Sequence, residues 1–300
     1  MVGAILCNML RQSIAESTGT WVDFKTSFDY LFEAAKDFAK ETRACSDSQS
    51  ITTVASISEY ELKPNFAEVI TTDDHNHPTI CLTDSNGNES WIDWESYSDY
   101  LQNDNTASTP NSFCIIDQTI KNRITGTTTA TGTHTGGESI LTDSSADFST
   151  VTIGDYVINT SQNAYGYVLG IGTTLTTAMF ILSTSGGAYA SWASGDTYII
   201  QPAPRYKIIL DPAPSTGGDI INVAYIAKPY PVYSDYGMYT FATGYEEALI
   251  SYATWKYRYR DSKPQLADPL YVTYERQMRK AKNTGRKAVG AKGFSVNFTK

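Results

Sequence analysis

Two aspartates and two histidines stand together in Asp73-Asp74-His75-Asn76-His77, the cluster in the sequence that most resembles a metal site. Histidines two residues apart on a strand lie on the same face, where they can share one metal ion. The surrounding sequence indicates no third ligand, and Pro78 favours a loop over a strand. We therefore expect a solvated loop, and a hydrolase that uses this cluster is the least favoured functional alternative.

The other motifs that suggest chemistry are incomplete. Ser185-Gly186-Gly187 is not a nucleophile elbow, and Thr133–Gly137 lacks the Lys-Ser or Lys-Thr pair of a phosphate-binding loop. Gly154-Asp155 and Gly195-Asp196 have the composition of β-turns, which we favour over calcium sites. The four cysteines form no Cys-x-x-Cys pair, so reduced thiols are expected. The sequence thus predicts no catalytic residue, no cofactor and no metal.

Two amphipathic helices are predicted at the start of the chain. The apolar face of the first is Ile5, Leu6, Met9, Leu10 and Ile14. In the second, apolar residues recur every three or four positions, which places them on one face: Trp21, Phe24, Phe28, Leu31, Ala35 and Phe38. Thr20 and Asp23 are a cap pair for its start. The apolar run Val2–Leu10 is too short to span a membrane and lacks the positive flank of a signal peptide.

From Ile51 onward, apolar residues alternate with polar ones, which is the pattern of half-buried strands. Short strands are predicted at Ile51–Ala55, Tyr60–Leu62, Asn65–Ile70, Thr79–Thr83, Phe113–Asp117, Arg205–Leu210 and Ile220–Ala227. Asn86-Gly87 indicates a hairpin turn, because both residues tolerate a positive φ. A helical spacing predicts one or two amphipathic turns over Trp91, Trp94, Tyr97 and Leu101.

A threonine-rich stretch separates this region from a second set of strands. Seven of the eleven residues in Thr125–Thr135 are threonine, which predicts a linker that buries no core. The next segment, Gly137–Gln201, has the alternation and turn signals of six or so short strands. We expect it to form a small β-barrel or sandwich inserted into a parent domain. Its excision is then expected to leave the rest of the chain folded.

The C-terminal segment is basic, whereas the rest of the chain is acidic. Twelve of the 23 Lys and Arg residues lie in Trp255–Lys300 together with three acids, so this segment carries a net charge of +9. The whole chain carries −9, which leaves −18 for the remainder. Such a split favours a docking or assembly element on an acidic body over an enzyme pocket.

Two helices are predicted within this segment. Thr243-Gly244-Tyr245-Glu246 has the capping-box pattern at the start of the first, and Lys263-Pro264 ends it. Its apolar face is Tyr245, Leu249, Tyr252, Trp255 and Tyr259. Asp268-Pro269 is expected to begin the second helix. Its apolar face is Leu270, Tyr274, Met278 and Ala281, with Arg276, Arg279 and Lys280 on the other side.

A basic arm is predicted from Arg286 to Lys300. Phe294-Ser295-Val296-Asn297-Phe298 alternates like a strand that can add to the edge of a partner's sheet. A solvated helix face with a disordered tail and a phosphate-binding segment are the alternatives. The alternation favours a partner protein. The predicted docking residues are Arg276, Arg279, Lys280, Arg286, Lys287, Phe294, Val296 and Phe298.

These elements predict an α+β fold. An α-helical bundle of the N- and C-terminal helices packs with a small antiparallel β domain, and a small β-barrel or sandwich is inserted. The predicted helical bundle comprises residues 1–48 and 240–285, and the β-rich part of the core domain comprises 49–126 and 202–239. Residues 127–201 are the inserted β domain, and 286–300 are the basic C-terminal arm.

The elements occur in a recognisable order. After the N-terminal helix come the hairpin Ile51–Val69, Trp94-x-x-Tyr97, the strands Asn111–Ile116, Ile208–Pro214 and Tyr225–Pro229, and the helix pair Tyr245–Lys282. In this order the chain resembles the head-to-tail connector (adaptor, or neck) proteins of tailed bacteriophages. The most similar part is Glu246–Ala253, followed by a charged break and a second helix. The resemblance covers most of residues 1–126 and 202–285, whereas Gly137–Gln201 departs from the compact family pattern.

The resemblance implies a non-enzymatic ring, commonly of twelve subunits, that joins the portal protein to the next tail component. The ring would be assembled in the host cytoplasm and reside at the head–tail junction of the virion. Double-stranded DNA would pass through its lumen without specific binding, which an acidic body suits. The C-terminal segment would dock into the portal. Ring closure needs two different patches on each subunit, and Tyr252, Tyr257 and Tyr259 are the predicted subunit interface.

A phage tail adhesin or carbohydrate-binding protein is the second reading. It would use the inserted β domain, with Trp192, Tyr189 and Tyr165 as exposed aromatic residues. The connector reading is favoured over the adhesin because it accounts for the basic C-terminal segment. Both are favoured over a hydrolase, because no set of residues fills the roles of an active site.

Overall fold

The structure is a computed structural model that describes residues 2–18, 23–70, 79–103, 106–119, 121–182, 188–260 and 264–288. The chain forms two compact units. The first comprises Met1–Ala44, Lys121–Ala203 and Pro229–Lys282, and the second is built on Cys45–Ile120 and Pro204–Lys228. The cluster Asp73–His77 lies outside the described residues, so the expectation of a loop there stays a prediction.

Helices and strands alternate in blocks along the described chain. The helices are α1 Gly3–Thr18, α2 Phe24–Thr42, α3 Tyr97–Tyr100, α4 Glu246–Arg260 and α5 Pro264–Ala288. The strands are β1 Ser46–Thr52, β2 Glu59–Glu61, β3 Phe66–Val69, β4 Thr79–Thr83, β5 Glu89–Trp94, β6 Ser112–Thr119, β7 Ile124–Thr127, β8 His134–Thr135, β9 Glu138–Leu141, β10 Tyr156–Asn159, β11 Ala164–Ile171, β12 Leu175–Ile181, β13 Thr197–Gln201, β14 Arg205–Asp211 and β15 Ile220–Ala227. The predicted mixture of α and β structure is confirmed.

The first two helices form where the apolar spacing predicts them. Phe28, Leu31, Ala35 and Phe38 of α2 are all buried. Asp23 caps this helix by accepting a hydrogen bond from the Thr26 N–H at 2.6 Å. The buried face of α1 is narrower than predicted, because Ile5 and Met9 are 48% and 39% exposed. Within the described residues, no helix combines the length and apolar composition needed to cross a membrane.

One hydrophobic core joins the helices of the first unit to its sheet. Phe180 of β12 is fully buried, with its ring centroid 6.0 Å from that of Phe28 in α2 and 4.7 Å from that of Tyr189. Leu6, Leu249 and Tyr274 belong to the same buried cluster. The segment expected to be a separable insertion therefore supplies part of the core of the helices. The expectation that its excision leaves the rest folded is revised for this reason.

The sheet of the first unit is a nearly closed, barrel-like structure. Its seven strands follow the order β7-β13-β10-β11-β12-β9-β8, and every pairing is antiparallel. A hydrogen bond from the Thr129 N–H, just after β7, to the Thr142 carbonyl, just after β9, at 2.8 Å links the first strand of this order to the opposite side. Trp192, Val157 and Ile200 are fully buried in its interior. A small barrel of short strands agrees with the sequence.

The threonine-rich stretch belongs to this sheet rather than linking two parts of the chain. Thr125 and Thr127 lie in β7, which pairs with β13, and His134 begins β8. Thr128 is buried, and its hydroxyl donates to the Ala193 carbonyl at 2.5 Å. β-Branched threonines suit strands, so the composition fits an ordered edge as well as a linker. The linker prediction was wrong, because the composition of Thr125–Thr135 does not show that another strand, β13, pairs with it.

Two aspartate turns repeat the same geometry in this sheet. Gly154 and Gly195 have φ values of +92° and +91°, and each precedes a buried aspartate. Asp155 accepts a hydrogen bond from the Thr152 N–H at 2.8 Å, and Asp196 accepts one from the Ala193 N–H at 2.9 Å. Each carboxylate therefore closes its own turn. The β-turn reading of Gly154-Asp155 and Gly195-Asp196 agrees with this geometry.

Replacing Asp196 by alanine is expected to destabilise the chain by about 3 kcal/mol, because the buried Asn159 amide and two further donors would lose their shared acceptor. The carboxylate accepts from the Asn159 amide at 2.8 Å and the Gln162 amide at 2.7 Å, besides the Ala193 N–H. Urea unfolding measures the change. Asp147→Ala is the matched control, since exposed Asp147 accepts one backbone N–H, from Ser149. Equal losses in the two variants would contradict the structural role of Asp196.

The second unit is built on an eight-stranded sheet. Its main order is β1-β15-β4-β5-β6-β14-β2, with β3 also paired to β15, and only the β5–β6 pairing is parallel. One face carries the buried cluster that includes Ile80, Ile92, Phe113, Ile208 and Val223. Six of the seven predicted strands of this region are present, whereas the strand predicted at Ile51–Ala55 lies at Ser46–Thr52 instead. β4 and β5 form a hairpin across Asn86-Gly87, where Gly87 has a φ of +83°.

The predicted amphipathic helix over Trp91–Leu101 does not form as expected. Trp91 and Trp94 lie in β5, and only Tyr97–Tyr100 are helical. All four predicted apolar positions are exposed, from 46% at Trp94 to 63% at Leu101. The pairing of β5 with β4 extends through Asp93, so the tertiary sheet overrides the helical spacing.

Candidate partner-docking surface

Helices α4 and α5 position the residues that the sequence analysis assigns to docking. Their boundaries differ from the prediction in two places. The first helix, α4, begins at Glu246, three residues after the predicted cap Thr243, whose hydroxyl donates to the Thr240 carbonyl, while Glu246 accepts from the Gly244 N–H at 2.9 Å. The second helix begins at Pro264 instead of Pro269, which lies inside it. Proline fits the first helical position, where no intrahelical donor is needed.

The inner side of α5 is held against the first unit by an aromatic and polar contact. Tyr274 is fully buried, its ring centroid lies 5.0 Å from that of Tyr252, and its hydroxyl donates to the Asp37 carboxylate of α2. Burial and this hydrogen bond both raise the pKa of Tyr274, so the hydroxyl stays a donor. Met278 and Ala281 pack against the same core. Three of the four residues predicted for this face, Tyr274, Met278 and Ala281, are therefore confirmed.

The outer side of α5 is basic and exposed. Arg276, Arg279 and Lys280 are all exposed, as predicted. Arg279 lies 3.5 Å from Glu275, but its side chain is 75% exposed, so this pair contributes little to stability. Lys282 instead faces α2, where it forms a salt bridge of 2.9 Å with Glu41. A helix with one packed side and one basic side can bind an acidic partner without disturbing its own fold.

The remaining predicted docking residues divide into two groups. Arg286 and Lys287 lie within α5, which continues through Gly285 to Ala288. The arm was expected to start at Arg286, but the helical backbone extends beyond that residue because one glycine costs only about 1 kcal/mol in a helix. Phe294, Val296 and Phe298 lie outside the described residues, so their docking role stays a prediction.

The three tyrosines of the predicted subunit interface have different surroundings. Tyr252 is half-buried between Trp255 and Tyr274, and burial raises its pKa to about 12. Tyr257 is half-buried with its ring edge-on to that of Tyr30, at a centroid distance of 6.3 Å. Tyr259 is 60% exposed. Only Tyr259 presents most of its surface to a neighbouring molecule.

Besides Tyr259 on α4, an exposed aromatic residue on α5 was missed by the sequence analysis. Tyr271 is 36% exposed, and its ring centroid lies 4.8 Å from that of Trp255, which in turn lies 6.0 Å from that of Tyr259. The signal was available, since Tyr271 lies three residues before the predicted face residue Tyr274, and positions three apart are neighbours on a helix. These three rings form an aromatic patch on α4 and α5.

A polar cleft of about 550 Å³ lies beside α2. Lys25, Asp29, Glu33 and Lys36 line it, together with Tyr233 and Arg260. Lys25 forms a salt bridge of 2.6 Å with Asp29, which also accepts a hydrogen bond from Tyr233. Burial lowers the pKa of Lys25, but hydrogen bonds to Asp29 and Tyr165 raise it overall, so the amine stays charged. A protonated lysine is a poor nucleophile, so nothing in this arrangement favours a catalytic role for Lys25. Its contacts with Asp29 instead make the lining of the cleft a structural charge network.

Two of the three aromatic residues assigned to carbohydrate binding, Trp192 and Tyr189, pack within the first unit. Trp192 is fully buried and donates its ring N–H to the Thr177 hydroxyl at 2.9 Å. Tyr189 packs on Phe180, and its hydroxyl donates to Asp235. Trp192 was expected to be exposed, and that expectation was wrong because the ring fills the interior of the barrel-like sheet.

Among the described residues, no group of three or more His, Cys, Asp or Glu side chains is arranged to hold a metal ion. His134 is exposed in β8, near the ring of Tyr189. The sequence matches no protein-family model and no curated protein.

Proposed function

We propose that this chain is a structural subunit of the head-to-tail connector of a tailed bacteriophage. In this role it forms a ring, commonly of twelve subunits, that joins the portal protein to the next tail component at the head–tail junction of the virion. The subunits assemble in the host cytoplasm. The role requires no catalytic residue and no cofactor.

The basic outer side of α5 is the observation that carries the proposal. The helix has 25 residues and a length of about 37 Å at 1.5 Å per residue. Arg276, Arg279 and Lys280 extend outward, while Tyr274 anchors the inner side. Six of the 23 Lys and Arg residues lie on α5 together with two acids, and a basic helix of this kind on an acidic chain is suited to docking on an acidic protein surface.

The helices supply the rigid support that docking needs. We propose that α1, α2, α4 and α5 act as a helical bundle within the first unit. Leu10, Phe38, Leu249 and Tyr274 come from these four helices and share one buried core. Docking surfaces on packed helices are held more precisely than those on loops.

The acidic remainder of the chain suits a channel for DNA. Outside Trp255–Lys300 the net charge is −18, so a lumen lined by this part repels phosphates. Each Lys or Arg contact with phosphate would add salt-sensitive affinity and slow the passage of DNA. The ring therefore lets DNA pass without gripping it.

Native mass spectrometry of the full chain, alone and mixed with the portal protein of the same phage, tests the proposal. Twelve copies of the 33.0 kDa chain give a ring of about 396 kDa. We expect such a closed oligomer, either alone or on the portal. A chain that stays monomeric in both conditions and does not bind the portal would contradict the proposed function.

A further inference from the structure

Two carboxylates of the second unit share a single amide. Glu95 follows β5 directly, and Asp211 is the last residue of β14. The Asn103 side-chain N–H₂ donates to Glu95 Oε2 at 3.1 Å and also to Asp211 Oδ2. The two carboxylates therefore lie side by side, with one neutral residue between them.

Within the described residues, the second oxygen of each carboxylate has no hydrogen-bond partner. Asp211 is only 4% exposed, and neither its Oδ1 nor Glu95 Oε1 accepts a hydrogen bond from any described residue, although both atoms are buried. No lysine or arginine in the described ranges forms a salt bridge with either group. A buried carboxylate oxygen without a partner is costly to the folded state. A ligand that contacts both of these oxygens would therefore stabilise the fold.

The backbone holds the two carboxylates at fixed positions. The Glu95 N–H donates to the Phe113 carbonyl at 2.8 Å, and the Asn111 N–H donates to the Asp211 carbonyl at 3.0 Å. Asp211 also pairs with Ser112 across the sheet. β6 runs between β5 and β14, so both carboxylates are anchored beside the same end of β6. Sites anchored on strands keep their geometry when a ligand binds.

We propose that Glu95, Asp211 and Asn103 form a binding site for a divalent cation, with calcium as the preferred ion. Rotation of the Asn103 amide by 180° exchanges its N–H₂ for its carbonyl oxygen and points a third oxygen at the carboxylates. Oxygen ligands are those that calcium and magnesium take, and calcium accepts the more irregular geometry. One divalent cation offsets both negative charges and supplies a partner for the unpaired oxygens.

Two carboxylates and one amide make a weak site. Water must complete the coordination, so we expect a dissociation constant on the order of 0.1–1 mM. The site lies in the second unit and uses none of the docking residues. The inference is therefore independent of the proposed connector function.

Calorimetric titration of the full chain with calcium chloride tests this inference, together with thermal unfolding in calcium and in EDTA. We expect saturable binding and a higher Tm in calcium, because an ion that binds only the folded state stabilises it. Magnesium is expected to bind more weakly. Absence of both calcium binding and a Tm shift would overturn the inference, and tighter binding of magnesium would overturn the preference for calcium.

Three variants locate the ion. Glu95→Gln and Asp211→Asn keep the side-chain shape and remove the like-charge pair, so both are expected to fold and to bind calcium at least about tenfold more weakly. Asn103→Ala alters an exposed side chain, leaves both carboxylates in place and is expected to weaken binding as well. Glu89→Gln, at the exposed other end of β5, is the matched control and should bind as the wild type does. Wild-type affinity in all three site variants would overturn the assignment.

Discussion

Replacing Phe180 by alanine is expected to lower the free energy of unfolding by about 3–5 kcal/mol and to loosen the helices as well as the sheet. The ring is fully buried, and its centroid lies 6.0 Å from that of Phe28 in α2 and 5.7 Å from that of Tyr233. Its removal leaves a cavity between elements far apart in sequence. Urea unfolding measures the loss, and amide hydrogen exchange shows whether α2 loses protection.

Leu182→Ala is the matched control for Phe180→Ala. Leu182 lies just beyond the end of β12 and is 52% exposed, so its removal is expected to cost less than about 1 kcal/mol. Increased exchange in the sheet but unchanged exchange in α2 would show that the two elements do not share a core. That result would restore the separable insertion expected from the sequence.

The same core determines the outcome of excising Gly137–Gln201. The excision removes Ala178 and Phe180, both fully buried in the cluster that holds α1, α2 and α4 together. The remaining helices would expose Phe28 and Leu31 to water. We therefore expect the shortened chain to lose its helical fold, whereas the sequence alone favoured an intact one.

Local structure was predictable because it depends on nearby residues. The spacing of Phe28, Leu31 and Phe38 gives the buried face of α2, since positions three or four apart share one side of a helix. Asn86-Gly87 gives the β4–β5 hairpin for an equally local reason. The repeated Gly-Asp turns belong to the same class, because each aspartate closes its own turn.

Long-range partners were not predictable, since periodicity shows that a residue is buried but not what it packs against. Thr125–Thr135 has the composition of a linker, yet β7 pairs with β13, about seventy residues further along the chain. Trp192 has the character of a surface aromatic residue in sequence, but it fills the interior of the sheet. In both cases tertiary contacts override local composition.

The basic side of α5 was predictable from local spacing, whereas the proposed cation site depends on long-range contacts. Arg276, Arg279 and Lys280 share a helical face opposite Tyr274, so the exposed basic side of α5 follows from spacing alone. Glu95 and Asp211 are brought together only by the order of β5, β6 and β14 in the sheet. No sequence signal joins them, because each is an ordinary acid at the end of a strand.

Reversing the charge of Arg276 and Arg279 together, by Arg276→Glu and Arg279→Glu, is expected to weaken binding to the portal protein at least about thirtyfold (~2 kcal/mol). Both side chains are exposed on the outer side of α5, whereas the buried Tyr274 holds the inner side, so the fold should be unchanged. Surface plasmon resonance on immobilised portal measures the affinity, and circular dichroism confirms the helix content.

The control for this loss of portal affinity is a double variant that changes the net charge by the same amount outside α5. Lys121→Glu with Arg123→Glu makes the same change just before β7 and is expected to bind the portal like the wild type. Docking through charge predicts that wild-type affinity falls as salt rises, because ions screen attraction over about 8 Å at 0.15 M. The α5 variant should lose most of this salt dependence. If the α5 variant instead binds the portal with wild-type affinity, the basic side of α5 is not the docking surface. That conclusion would hold even if the chain forms rings.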